Sequence, residues 1–344
     1  MTLENTLVKE SKNEAEELES VSEKPLENDV REKRPKTPPL PKGTQTLEHQ
    51  VAGHRHGKSK TKLGFLQNTD GTVLKAIQSP PRGMRELQFY QNVFDENQTN
   101  SALISLRQFM PKYLGTYSSP ELPNVMYLVM EKVTQPFAEP CVCDLKMGAR
   151  THDPEATPAK IAREKAKYPF LENVGFQFQG YSVYDQVKKK YDIYDKKFGR
   201  SLTEVEVLTK GFAAFFDNGY GIRVDAVKAM IKKLEEIEKW FMSPSGLCFY
   251  ASSLLLVYDG ERTSTGKTDE EVSDGIDYIK ETDCACTPEV AGCVNHCQLA
   301  MDLECPVAVK MIDFAHVFPA SGLDENYLTG LRSLIAYLHR VLEL

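Results

Sequence analysis

No apolar run in the 344-residue chain approaches the ~20 residues of a membrane-spanning helix; the longest candidates are stretches such as Leu254 to Val257. There is no internal repeat, which sets solenoids aside, and only one tryptophan. The first twenty residues are acidic and lack the basic and apolar segments of a secretory signal, so an intracellular protein is expected. Evenly spaced cysteines are missing as well. Three of the eight are scattered (Cys141, Cys143, Cys248) and five crowd between Cys284 and Cys305, which excludes an extracellular disulfide scaffold. Paired CxxC motifs are also absent. Cys284, Cys286, Cys293, His296, Cys297 and Cys305 are soft ligands sufficient for tetrahedral zinc, but an acidic disordered loop competes with that reading.

What is present is a soluble composition, 41% hydrophobic and 26% charged, with a net charge of −7 that is unevenly placed. Residues 1–30 contribute −6 and residues 259–305 contribute −9, leaving the rest of the chain at +8. A basic body suits a polyanionic ligand, although an ordinary solvated surface has the same signature. Residues 1–43, rich in Glu, Lys, Ser and Pro, are expected to be disordered. Within them Arg31 to Lys42 reads as a nuclear-import address, a proline-rich docking segment or a plain linker.

From Leu63 the pattern predicts a hairpin around a TDG turn, then a helix in which Leu87, Tyr90 and Val93 share a face. NVMYLVMEKV and PCVCDLKMG read as buried strands. Val227, Met230, Ile231, Leu234, Ile237 and Phe241 form the stripe of a long amphipathic helix. FYASSLLLVYDG and VAVKMIDFAHVF read as two strands flanking an irregular excursion over residues 260–305, a hairpin with an inserted loop. A final amphipathic helix runs through Leu328, Leu331, Leu334, Ile335, Leu338 and Leu342.

Several constellations can carry chemistry. GHRHGKS ends like a phosphate-cradling loop, but its glycines are one residue too close and no strand precedes it; a loop over the mouth of a nucleotide site fits better. Lys75 ends a strand and Glu86 follows on the helix, an arrangement that holds nucleotide phosphates in kinase-like folds. In PCVCDLKMG, Asp144 and Lys146 fall on one strand face, with apolar residues on the other. Asp313 sits inside an apolar strand, where a carboxylate is costly unless it is paired or binds a metal such as Mg²⁺. On a helix, Lys160, Arg163, Glu164 and Lys167 share one face. That face suits a polyphosphate, with a solvated helix as the bland alternative.

PCVCDLKMG, Ser252-Ser253-Leu254-Leu255 and Ile312-Asp313-Phe314 occur in the order found in the inositol polyphosphate kinases, which the chain resembles from about Leu47 to its end, apart from most of 260–305. HQVAGHRHGK, DGTVLK, PPRGMRELQFY, GRSL and MIDFAHVFP resemble the multikinase branch. The resemblance implies an α+β, two-lobed fold related to protein kinases and to SAICAR synthase, with an antiparallel sheet in the N-lobe and a mixed C-lobe. The expected boundaries are 44–133 for the N-lobe and hinge and 134–344 for the C-lobe, including an inositol-binding segment at 149–200. The resemblance assigns Lys75 to the phosphates of ATP, Glu131 to Val133 to an adenine-binding hinge, Asp144 to the ribose and Asp313 to Mg²⁺. Lys146 would lie where the γ-phosphoryl group passes to an inositol hydroxyl. Arg82, Lys160, Arg163, Lys167, Lys196 and His316 would meet substrate phosphates, and Ser253 with its neighbour would support the floor.

The resemblance further implies conversion of inositol 1,4,5-trisphosphate to tetrakis- and pentakisphosphate, with phosphatidylinositol 4,5-bisphosphate as a further candidate substrate. Inositol hexakisphosphate kinase, inositol trisphosphate 3-kinase and a non-catalytic kinase-like scaffold remain as alternatives. Only about 50 residues separate Gly148 from GRSL, a short acceptor segment that favours the multikinase. Arg163 and Glu164 stand where relatives carry amides, which bears on specificity. No counterpart of the protein-kinase HRD base is evident. His316 either binds substrate, assists proton removal or caps a strand, and the loose transition state favours binding. A monomer without nucleic-acid partners, in nucleus and cytoplasm, completes the expectation.

Overall fold

A computed structural model describes residues 37–58, 63–261 and 305–344. The strands and helices are β1 (Thr44–Thr46), β2 (Phe65–Asn68), β3 (Thr72–Ala76), α1 (Arg82–Val93), α2 (Ser101–Leu106), β4 (Tyr113–Ser119), β5 (Leu122–Glu131) and β6 (Pro140–Met147). There follow α3 (Pro158–Lys167), α4 (Leu171–Val174), β7 (Phe176–Asp185), β8 (Lys190–Tyr194), α5 (Lys196–Ser201), α6 (Glu204–Glu206), α7 (Ala214–Phe216) and α8 (Val224–Phe241). The last are β9 (Leu247–Phe249), β10 (Ser253–Asp259), β11 (Val307–Ile312), β12 (Val317–Pro319) and α9 (Glu325–Val341).

Two antiparallel five-stranded sheets form the frame, in the orders β1-β2-β3-β5-β4 and β11-β10-β6-β7-β8. The expected β2–β3 hairpin is present. Its turn is set by Asp70, whose Oδ1 accepts from Thr72 N–H at 2.8 Å and from the Thr72 hydroxyl at 2.7 Å, while Gly71 takes φ +83°. Helix α1 buries Leu87, Tyr90 and Val93 as the spacing predicts. Its first turn presses on the preceding loop at Gly83, where a Cβ would lie 1.9 Å from the Gln78 carbonyl oxygen. Only glycine permits that approach, and it fixes how α1 presents Glu86.

In the second sheet, β6 sends Cys141, Cys143, Leu145 and Met147 into the core with no exposed area. Val142, Asp144 and Lys146 occupy its other face by alternation. Helices α8 and α9 pack on each other, α8 against β11 and α9 against β6 and β7. The predicted stripe of α8 is buried throughout, and Phe241 stacks on Tyr327 of α9 at 4.3 Å. Gly148 ends β6 where α9 comes closest, since a Cβ there would meet the Asn326 amide at 2.4 Å. The terminal glycine of the PCVCDLKMG motif thus lets the C-terminal helix close on β6.

Two strand expectations need correction. FYASSLLLVYDG is broken at Ala251 (φ +53°) into β9 and β10, and VAVKMIDFAHVF is broken at Asp313 (φ +65°) into β11 and β12. The breaks lie opposite one another. Ser253 pairs with Ile312 on one side of the gap and Phe249 with Val317 on the other. Apolar composition predicts burial across the whole run but carries no signal for a left-handed residue imposed by tertiary contacts. Strands β7 and β8 were not anticipated. The β10–β11 pairing itself matches the expected hairpin, and its inserted loop lies outside the described residues except at its ends. Cys284, Cys286, Cys293, His296 and Cys297 lie outside them too, while Cys305 Sγ is 3.3 Å from the buried Arg223 guanidinium.

Candidate active site

A cleft between the two sheets has an empty volume of about 830 Å³, its open mouth included. On β3, Leu74 packs with Leu66 and Tyr127 on one face, so Val73 and Lys75 face the cleft. Lys75 is 7% exposed, and its ammonium lies 2.5 Å from Glu86 Oε1 and 2.6 Å from Asp313 Oδ1. Burial opposes its charge, but the two carboxylates outweigh that effect and hold its pKa above the usual lysine value. Glu86 also accepts the Phe314 N–H, joining α1 to the segment after β11. For Asp313 burial disfavours ionisation, and Lys75 overrides it and keeps the carboxyl below the ordinary range. The left-handed backbone at Asp313 ends the ladder and delivers this carboxylate to the cleft.

Glu131, Lys132 and Val133, at the end of β5, form one wall of the cleft, opposite Asp144 and Leu255. Asp144 is 7% exposed; burial first, then the neighbouring Asp313 charge, pushes its pKa up to about 7, against a hydrogen bond from Ser253. Its Oδ1 is buried without a hydrogen-bond partner among the described residues. Ser252 donates to the Ile312 carbonyl at 2.8 Å and thereby ties the floor across the strand break. Lys146 makes no ion pair within 4 Å among the described residues, yet its charge acts on Asp144, Asp313 and Glu164.

Beyond Lys146 lies a cationic region. Thr157 caps α3, Pro158 starts it, and none of its side chains is buried, which fits a helix that serves a ligand better than a core. Lys167 Nζ lies 2.5 Å from Glu164, whose carboxyl is held below its usual pKa because Lys167, Lys146 and Arg163 outweigh the effect of burial. Lys160 Nζ lies 2.9 Å from Asp153, and His316 Nδ1 lies 2.7 Å from the same carboxylate oxygen. Burial chiefly, helped by Lys160 and Arg82, lowers the pKa of His316, so the ring is neutral at pH 7.

The sequence-selected residues therefore fall into three groups. Lys75, Glu131, Val133, Asp144 and Asp313 line one cleft. Lys146, Arg163 and Lys167 converge on Glu164, and Lys160 and His316 meet at Asp153, with the Arg82 charge acting on His316. Lys196 stands apart, exposed at the start of α5 beside Asp195, with no ion pair among the described residues. The GHRHGKS loop divides: Gly53 lines the cleft and the His54 charge acts on Asp313, whereas Arg55, His56 and Lys58 line a neighbouring cavity. Asp153 was missed, and so was the link from Ser253 to Asp144.

The family model described as inositol polyphosphate kinase matches residues 127–339. Human inositol polyphosphate multikinase is 35% identical over 374 residues, covering 88% of this chain and 89% of that protein. Mouse inositol hexakisphosphate kinase 3 is 30% identical over 237 residues, covering 65% and 53%. Among solved structures, inositol phosphate multikinase Ipk2 from S. cerevisiae in complex with ADP and Mn²⁺ superposes with a TM-score of 0.55 at 21% identity. It covers 79% of this chain and 99% of that one, a likeness of fold. The matched region contains β6 with Asp144 and Lys146 and β11 with the Asp313 turn, and the multikinase similarity extends over most of the remainder. The chain belongs to the inositol polyphosphate kinase family.

Proposed function

We propose that the protein transfers the γ-phosphoryl group of ATP to hydroxyls of inositol 1,4,5-trisphosphate and inositol tetrakisphosphate, giving the pentakisphosphate. The observation that carries this reading is the continuity of the site. A buried lysine clasped by Glu86 and Asp313 opens along one face of β6, past Asp144, to Lys146, which has no ion pair among the described residues, and to the cations of α3. Family membership and the multikinase relatives support it further.

In this reading adenine lies against Glu131 to Val133, and the ribose supplies the hydroxyl donor that the orphaned Asp144 Oδ1 lacks. Lys75 binds nucleotide phosphates while Glu86 holds it in place. Asp313 offers a hard carboxylate oxygen beside Lys75, which fits Mg²⁺, and the yeast relative carries Mn²⁺ with ADP. Such a cation neutralises charge on the phosphate oxygens when bound. Lys146 stabilises the charge that develops on the passing phosphoryl group, Arg82, Lys160, Arg163 and Lys167 hold the acceptor's phosphates, and His316 stands beside them at the acceptor. The short stretch between Gly148 and α5 leaves the acceptor side open, which suits several soluble inositol phosphates and the headgroup of phosphatidylinositol 4,5-bisphosphate. A monomer active in nucleus and cytoplasm belongs to the same reading; for the nucleus its support is the basic run at Arg31 to Lys42.

Turnover of Mg-ATP against a panel from inositol trisphosphate to hexakisphosphate tests the substrate range. Stepwise conversion of trisphosphate to pentakisphosphate is expected. Product from hexakisphosphate alone would reassign the chain to its pyrophosphate-forming siblings, and no turnover with intact ATP binding would make it a scaffold.

A further inference from the structure

Asp153 lies in the loop between β6 and α3 with its side chain 4% exposed. One of its oxygens, Oδ2, serves two partners from different elements: His316 Nδ1 at 2.7 Å and Lys160 Nζ at 2.9 Å. Burial disfavours its charge, but Lys160 and His316 hold the carboxyl below the usual aspartate value, so it is an ionised acceptor. The Nδ1 contact lacks hydrogen-bond geometry, but an ionised carboxylate oxygen 2.7 Å away repels a lone pair, so it favours the neutral imidazole with its hydrogen on Nδ1 and its lone pair on Nε2. The charged groups that act on His316 are Asp153, Lys160 and, from the start of α1, Arg82. The ring stands at the break between β11 and β12, three residues beyond Asp313, with its carbonyl held by the Tyr250 N–H.

We propose that Asp153 is the positioning residue of the acceptor site, fixing His316 with Nε2 free to take the proton of the attacking inositol hydroxyl and setting Lys160 beside it for a substrate phosphate. This rests on the phosphoryl-transfer reading above. As the hydroxyl oxygen bonds to the γ-phosphorus, the bond from that phosphorus to the β-bridging oxygen breaks and its electron pair leaves with ADP. The hydroxyl proton passes to Nε2, the imidazolium is stabilised by Asp153, and the proton returns to water after product release. The carboxylate–imidazole pair resembles the orienting half of a hydrolase triad, where the acid holds the tautomer and does not itself take the proton. A loose transition state asks little of a base, so a modest contribution is expected.

The test is Asp153→Asn in the full chain, read by kinetics across pH and by imidazole ¹⁵N NMR of His316. The expected result is a fall in kcat of about 100-fold, with the acidic limb of the pH profile moved to lower pH because a charge that raised the His316 pKa has gone. Lys160→Ala should instead raise KM with kcat nearly unchanged. In the wild-type protein the NMR signal should be that of the Nδ1–H tautomer, lost in Asp153→Asn. A variant that melts at lower temperature but keeps its kcat and pH profile, or a wild-type ring in the Nε2–H form, overturns the proposal. The tautomer is read without substrate, so its failure is distinguishable from a failure of the kinase reading.

Discussion

Asp144 is a carboxylate whose charge is opposed by burial and by the nearby Asp313, with one oxygen left unfilled. Its pKa in the folded chain, about 7, lies above that of an unfolded aspartate. Between about pH 4 and 7 the folded state keeps a proton that the unfolded state has released, so stability falls as pH rises through that window. Asp144→Asn removes the fall. In the nucleotide-free protein, the melting temperature of the variant relative to wild type should climb from pH 4 to 7 and level off above; parallel curves would contradict the assignment. Asp144, Lys146, Lys75 and Asp313 were legible because strand alternation and motif spacing fix a face or a role within a few residues. Asp153 was not legible: its partners, Lys160 and His316, lie 7 and 163 residues away, and no periodicity links them.

Helix α3 illustrates how much one element can reveal. Its cap, its proline and its cationic face all appear in the sequence, and the structure adds that Glu164 occupies the middle of the cations. A carboxylate there repels a phosphate that approaches Lys167 or Lys146. Glu164→Gln is therefore expected to lower KM for inositol tetrakisphosphate by about three- to tenfold, equivalent to roughly 0.7–1.4 kcal/mol. Steady-state kinetics with tris- and tetrakisphosphate read this directly, and an unchanged or higher KM would show that Glu164 lies away from bound phosphate. The strands were less transparent. Residues 249–260 and 307–318 look continuous because burial sets composition, whereas their breaks depend on Ala251 and Asp313 adopting a left-handed backbone forced by neighbours. Strand β7 did carry a signal, since Phe176 and Phe178 alternate with Gln177 and Gln179, but its near-complete burial blurs the polar side of the pattern.

At the scale of the molecule, the helices and the cleft-bearing strands β3, β5 and β6 were legible, while the pairing of β10 between β6 and β11 depends on contacts distant in sequence. That pairing places Tyr258 beside Val307, with Arg223 donating to the Asp259 carbonyl at 2.6 Å and reaching Cys305 on the far side of the insert. The two ends of the insert are thus neighbours without it. Replacing residues 262–304 by a turn of about four residues closes the hairpin at little entropic cost. The shortened chain is expected to keep its melting temperature within a few degrees and its kcat within about twofold. Loss of folding would show that the insert contributes to the core.

The central claim is that phosphoryl transfer occurs where the cleft meets the cationic face, at Lys146. The most direct measurement is single-turnover transfer from γ-labelled Mg-ATP to inositol 1,4,5-trisphosphate by wild type and Lys146→Ala, with nucleotide affinity measured on both. The transfer rate should fall by about 10³-fold while ATP still binds within about threefold of wild type. A variant that transfers phosphate at the wild-type rate would contradict the account.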